Sequence, residues 1–283
     1  MSTCFSVKSA CKNLRRRCVW SDSAREASSE YSSGSCSSFG SACQNEISSS
    51  VAIGAGKFWG TEKMVLEEFQ SRFPGSIKEA KVGFMSPYEA SDKHPTYEKV
   101  CSGSSGYIEV LFITLTDPAT YFEQLMRFFF QIHDPTTEFR QGKNRGFQFA
   151  SWIFYADDEQ YRIAKKIRQE AQILTEIGEF KSHYSDSKVV TKLTPLKEFT
   201  AAAEEHQQYL KKHPEVSCDL KVLFEFWPSC PSITSVSSTS EDSIASEEDE
   251  ETRRNELIWK RYCESLRRRE RYDEFRRTLV RPH

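Results

Sequence analysis

Residues 51–215 predict an α+β domain, with helices packed against a sheet. Two observations carry that expectation. Aromatic and aliphatic residues are dense across this span, and stretches of period two alternate with stretches at helical spacing. The first strand covers 51–56, where Val51 to Ile53 are followed by the small residues Gly54, Ala55 and Gly56. A helix over 60–73 follows, with Trp59, Leu66, Phe69 and Phe73 on one side. The run 107–115 reads as a buried strand. Tyr121, Leu125, Phe128, Phe129 and Ile132 then recur at i, i+4, i+7, i+8 and i+11, the wide apolar face of a helix. A strand is expected over 148–155. The next helix starts at Asp157, with Gln160 three residues on as a capping box. A short strand over 188–193 and a last helix over 195–213, with Pro195 in its first turn, complete the domain.

The flanks differ. Residues 1–50 hold 16 Ser and five Cys (Cys4, Cys11, Cys18, Cys36, Cys43) and show no period, so they are expected to be disordered. Their first 20 residues carry Lys8, Lys12, Arg15, Arg16 and Arg17 and no acid, which suits either an organelle transit peptide or a plain tail. Residues 216–250 form a Ser/acidic linker. Residues 251–283 carry eleven Lys/Arg and six acids, with a narrow apolar stripe of Ile258, Tyr262, Tyr272, Phe275 and Leu279. This segment reads as a solvated charged helix or as one that docks on a protein partner. The chain as a whole has 39 basic and 41 acidic side chains, a net charge of −2, which argues against a dedicated nucleic-acid binder. No apolar run reaches the length of a membrane span. Nine Cys in 283 residues are too sparse for a secreted disulfide framework, so an intracellular protein, cytoplasmic or mitochondrial, is expected.

Six blocks in 51–215 carry a resemblance. Gly56-Lys57-Phe58-Trp59-Gly60 resembles the Gly-Cys-Phe-Trp-Gly signature of the A-type peptide methionine sulfoxide reductases. Pro95-Thr96-Tyr97, running into Glu98-Lys99-Val100-Cys101-Ser102-Gly103, is similar to that family's Asn-Pro-Thr-Tyr and Glu-Val-Cys-Ser-Gly segments. Gly106-Tyr107-Ile108-Glu109-Val110 stands where the family has Gly-His-Ala-Glu-Val, and His133-Asp134-Pro135-Thr136 matches its His-Asp-Pro-Thr turn. Arg140-Gln141-Gly142 through Gln148 follows its Gln-Gly run, and His206-Gln207-Gln208-Tyr209-Leu210 its closing helix.

The resemblance implies a two-layer mixed sheet with packed helices and a protein-repair oxidoreductase acting under oxidative stress. In that family a Cys thiolate at the start of the first helix attacks the sulfur of peptidyl methionine (S)-sulfoxide. A Phe-Trp pair, here Phe58 and Trp59, cradles the methyl group, and a protonated Glu and two Tyr hydroxyls hold the sulfoxide oxygen. No bound cofactor or metal is implied; thioredoxin enters as reductant only if the protein is active.

Several positions depart from the pattern. Lys57 occupies the nucleophile position, and an amine cannot form a sulfenic acid. Its charge at a helix N-terminus calls for compensation, so a Lys57–Glu109 ion pair that keeps Glu109 ionised is expected. That would also hold the lysine charged, against carbonyl chemistry. Asn144 replaces an Asp, Phe149 a Tyr, Ala150 an Arg, Phe84 a Tyr and Ala203 a Glu. The Gly-rich tail of many members is missing, so Cys218 and Cys230 are not assigned a resolving role, and Cys101 is expected to be buried and unreactive. Phe58 and Trp59 admit a surviving methyl cage or plain core packing. Tyr97 and Glu109 admit sulfoxide binding or mutual satisfaction with Lys57, which could itself donate to an S=O group. The reading is a pseudoenzyme that binds oxidised methionine in a peptide or protein, or a protein partner, without reducing it. The alternative is a working reductase using another thiol. A third idea makes the charged C-terminal helix the functional part.

Overall fold

The computed structural model describes residues 47–88, 95–230, 250, 253–269 and 271. The expectations for 1–46, for the acidic run within 231–249 and for Tyr272, Phe275 and Leu279 lie outside them.

The order is β1 (Ser50–Ala55), α1 (Phe58–Lys63) continuing through a π-helical stretch Met64–Phe69 into α2 (Gln70–Arg72), β2 (Ile77–Met85), α3 (Tyr97–Cys101), β3 (Ile108–Leu115) and α4 (Pro118–Ile132). A small β4–β5 hairpin (Arg140–Gln141, Asn144–Arg145) and a 3-10 turn (Phe147–Phe149) lead to β6 (Ser151–Tyr155). Then come α5 (Asp158–Glu176), β7 (Lys192–Pro195), β8 (Phe199–Ala201), a 3-10 turn (Glu204–His206) and α6 (Tyr209–Lys212). A further helix, α7, covers 253–269. Strands run β7-β6-β1-β3-β2-β8 in one mixed sheet, antiparallel except for β6 with β7.

Period-two alternation sorts the side chains between the faces. Val51, Ile53, Leu111, Ile113, Val82, Phe84 and Ile153 meet Phe69, Phe122, Leu125, Phe129 and Ile167 of the helices in the main core. Ala52, Met85, Ile108, Val110, Trp152 and Phe154 make the second face, covered by Phe147 and, from α7, by Trp259 and Tyr262. Asp157 caps α5 as expected, accepting from Gln160 N (2.8 Å), and Asp117, not read from the sequence, caps α4 by accepting from Thr120 N (3.2 Å) beside Pro118. Gln160 turns back to Ala156 N (2.9 Å) and donates to Ser48 O (2.7 Å), tying the start of α5 to the entry of β1.

Several expectations need correction, among them the strand expected over 188–193, which is β7 at Lys192–Pro195. No single helix covers 195–213: Pro195 ends β7, Phe199–Ala201 pairs with the edge of β2, and Gln208 at φ 51° breaks the chain before α6. Phe199 packs on Phe112 (ring centroids 5.0 Å), and Gln207 donates to Val82 O and accepts from Val82 N, both at 2.9 Å, so sheet-edge contacts override local helix preference. Strand β2 was not anticipated, because its first half is charged and largely exposed. The C-terminal helix is not wholly solvated. Trp259 stacks near Tyr88 (5.9 Å) and Phe147 (4.3 Å), Tyr262 Oη accepts from Phe147 N (3.1 Å), and Tyr88 Oη donates to Asn255 O (2.6 Å). Among the described residues, no helix is long and apolar enough to cross a membrane, and no cluster of His, Cys, Asp and Glu would hold a metal.

Candidate functional site

The site lies where β1 gives way to α1. Gly56 sits at φ +95°, and a Cβ there would come within 2.5 Å of the Gln141 side chain, so the sharp exit needs glycine. Lys57 is the N-cap of α1 and supplies no side-chain cap. The cap comes instead from β3: Glu109 Oε2 accepts from Phe58 N at 3.1 Å. Glu109 shares the core face of β3 with Leu111 and is fully buried, which pushes its carboxyl up to about 7 despite the opposing charge of Lys57 and the Phe58 N–H. Its Oε1 has no hydrogen-bond partner among the described residues.

The expected Lys57–Glu109 ion pair does not form: among the described residues Lys57 makes no ion pair within 4.0 Å. Lys57 Nζ donates to Tyr97 Oη at 2.8 Å and lies 3.9 Å over the Trp59 ring centroid and 5.4 Å from that of Tyr97. Ring faces take the place of a carboxylate as its counter-group. Glu109, committed to the helix N-terminus and desolvated, is therefore part protonated near neutral pH rather than held ionised.

Aromatic rings build the wall. Phe58 is fully buried between Phe84 (5.7 Å), Tyr97 (6.2 Å) and His206 (6.0 Å), a packing role. Trp59 is half-buried and stacked on Tyr209 at 3.7 Å and 10°. Buried Glu62 faces the start of α6, and its burial raises its pKa against the opposing effect of the Gln208 backbone N–H and the Lys212 charge. His206 lies 4.3 Å from Tyr97, ring to ring, and burial lowers its pKa. Trp59 Nε1 and His206 Nδ1 are both buried without a hydrogen-bond partner among the described residues.

Other anticipated residues lie elsewhere or behave differently. Asn144, in the β4–β5 hairpin, donates to Asp219 Oδ2 at 2.8 Å. Phe149 is buried, and its neighbour Gln148 donates to Cys101 O at 3.1 Å. Cys101 is exposed, not buried; partial desolvation of its sulfur raises the thiol's pKa, and the Tyr97 hydroxyl acts in the opposite sense. Sequence reasoning missed the chain after α6. Ser217, Asp219 and Leu220 line the cleft beside Lys57, Trp59, Gly60, Gln141 and Leu210. An added Cβ on Gly60 would lie 3.1 Å from Leu220 Cγ and 3.5 Å from Cys218 Sγ, so the tail packs directly on α1. The signal for it was Leu220 with the run Val222-Leu223-Phe224 and Phe226-Trp227; Leu220 is buried and Val222, Leu223, Phe224 and Trp227 pack on the domain, so the expected linker does not begin at 216.

Residues 49–226, more than half of the chain, match the family model described as "Peptide methionine sulfoxide reductase". The chain belongs to the peptide methionine sulfoxide reductase family. It is 38% identical to the peptide methionine sulfoxide reductase MsrA of Methanothermobacter thermautotrophicus over 61% of this chain and 92% of that protein. It is 34% identical to the probable peptide methionine sulfoxide reductase of Schizosaccharomyces pombe, over 58% of this chain and 88% of that protein. Among solved structures, that of Mxr1 from Saccharomyces cerevisiae in reduced form is 30% identical, with a TM-score of 0.49, over 60% of this chain and 88% of that one. The cleft lies between α1, the β4–β5 hairpin, α6 and the chain after it, with Lys57 in its lining, and Tyr97 reaches Lys57 from α3.

Proposed function

We propose that this reductase-family domain binds peptidyl methionine sulfoxide without reducing it. The observation that carries the reading is the ammonium of Lys57, held 2.8 Å from Tyr97 Oη at the position the reductase signature gives to its attacking sulfur. An amine offers no sulfenic acid step. Around Lys57 stand groups suited to a sulfoxide. Lys57 and Tyr97 are donors, and Glu109, when protonated, donates from the unpartnered Oε1. Trp59 offers a ring face to the methyl group. The Lys57 ammonium now rests on that face, so binding displaces it, at about 0.5–2 kcal/mol. A charge-assisted hydrogen bond to the S=O oxygen offsets that cost. No bond to the sulfoxide sulfur forms and no electrons move.

A methionine (S)-sulfoxide peptide tests this with two readouts on the full chain. Calorimetric titration is expected to give saturable binding that prefers sulfoxide to methionine. Incubation with dithiothreitol is expected to return the sulfoxide unchanged; sustained turnover overturns the proposal. A second reading rests on the hydrogen bond between the Tyr97 hydroxyl and Cys101. It makes Cys101 the reducing thiol, with thioredoxin as its reductant. That reading requires turnover by the parent protein that disappears in Cys101→Ser.

A further inference from the structure

The helix over 253–269 carries two heptad patterns at once. Asn255, Trp259, Tyr262 and Leu266, spaced i, i+4, i+7 and i+11, are its buried or half-buried side, and Trp259 and Tyr262 rest on the domain. The exposed side carries three basic doublets, Arg253–Arg254, Lys260–Arg261 and Arg267–Arg268, each seven residues from the next. Seven residues are two helical turns, about 10.5 Å. Only Arg254 has an ion-pair partner, Glu250 at 2.8 Å; the other five make none among the described residues. The turns between doublets are not basic. Leu257, 56% exposed, lies between the first two at the position that exposed Glu264 takes between the second and third, and exposed Glu256 borders Leu257.

We propose that this face docks an acidic α-helix of a partner protein, with carboxylates every two turns. The pattern of basic doublet, leucine, basic doublet, glutamate, basic doublet complements a helix reading acid, apolar, acid, basic, acid. Interdigitating helices repeat at this interval, so each doublet meets one carboxylate pair, and register is set by Leu257 and Glu264. A nucleic-acid strand offers unbroken negative charge, against which Glu264 would be repelled and Leu257 unmatched. Insertion in a membrane would need the apolar side, which the domain already occupies.

The test uses the full chain and a fluorescent helical peptide with Glu pairs every seven residues, Leu at one intermediate turn and Lys at the next. A second peptide has the same composition in permuted order. The ordered peptide is expected to bind at least tenfold more tightly than the permuted one. Lys260→Glu with Arg261→Glu is expected to weaken it at least tenfold, while Trp259 fluorescence and circular dichroism stay unchanged. Leu257→Lys, a milder change, is expected to narrow the difference between the two peptides. Equal affinity for both peptides overturns the proposal, as does tighter binding of a duplex DNA of matched length.

Discussion

At the end of α4, His133 donates from Nδ1 to Phe129 O (2.7 Å), its Nε2 meets Ser151 Oγ (2.8 Å), and Ser151 meets Thr191 Oγ1 (2.7 Å). A carbonyl only accepts, so Nδ1 carries the hydrogen, Nε2 accepts from Ser151, and Thr191 donates to Ser151. That cluster is closed. Around Lys57, three buried polar atoms have no partner among the described residues: Glu109 Oε1, Trp59 Nε1 and His206 Nδ1. Both clusters sit in one domain, and both are assembled from positions far apart in sequence. Unpaired buried polar atoms cost stability, and others lie away from both clusters (Gln70 Oε1, Ser76 Oγ and both Asn255 side-chain atoms), so the contrast is a local one: the polar atoms around His133 satisfy one another, and those beside Lys57 do not.

The sharpest break of that contrast is Lys57→Cys. The substitution puts a thiol at the N-terminus of α1, where the backbone dipole favours thiolate. Turnover of a methionine (S)-sulfoxide peptide with dithiothreitol is expected to rise at least about 100-fold over the parent chain. If it does not, the open cluster has lost more than its nucleophile, and Phe149→Tyr in the same background becomes the next restoration to measure.

The two clusters also titrate in opposite senses. Glu109 is raised from 4.5 to about 7, so between those values the folded state binds more protons than the unfolded one, and stability falls as pH rises. His133 is lowered from 6.5 to about 4 by burial, so stability falls as pH drops through that window. Each effect is worth roughly 3 kcal/mol at its limit, and the windows overlap. The parent chain should therefore show a shallow pH dependence between about 4.5 and 6.5, while Glu109→Gln should expose a steep loss of stability on acidification. Denaturant melts across that range check it, and an unchanged profile in Glu109→Gln would show that Glu109 does not titrate there.

Opening the closed cluster is expected to cost less. Ser151→Ala strips His133 Nε2 of its donor and leaves the Thr191 hydroxyl unpaired, both in a buried setting. Urea melts should show a loss of about 1–3 kcal/mol, with sulfoxide binding unaffected.

Much of this architecture was legible in the chain. β1, β3, α4 and the start of α5 announce themselves because local pattern and tertiary role agree there: alternating or helical apolar residues point at the core, and Asp157 caps α5. β2 and β8 were illegible for the opposite reason, since one carries charge along its exposed half and the other exists only as an edge partner. At the site, the resemblance located Lys57, Trp59, Tyr97 and Glu109, but charge arithmetic mispaired them. Pairing Lys57 with the nearest acid ignored that Glu109 already serves the Phe58 N–H and that two ring faces stand over the ammonium. Trp259 was overlooked because its partners, Tyr88 and Phe147, are more than a hundred residues away.

The smallest expected effect concerns the tail that edges the open cleft. Asn144 donates to Asp219 Oδ2, and 217–220 line the cleft with Lys57. Asn144→Asp exchanges a donor for a second carboxylate facing Asp219. The contact is exposed, so water screens the repulsion and the stability change should stay under about 1 kcal/mol. The local consequence is larger than the global one, because that hydrogen bond ties the tail to the hairpin across the cleft. Hydrogen exchange at 217–220 should accelerate in Asn144→Asp while that of β1 and β3 does not change. Asn144→Asp with Asp219→Asn restores a donor–acceptor pair with the roles reversed and should restore protection. If both variants exchange like the parent, Leu220 packed on Gly60 is what holds the tail, and the polar contact only accompanies it.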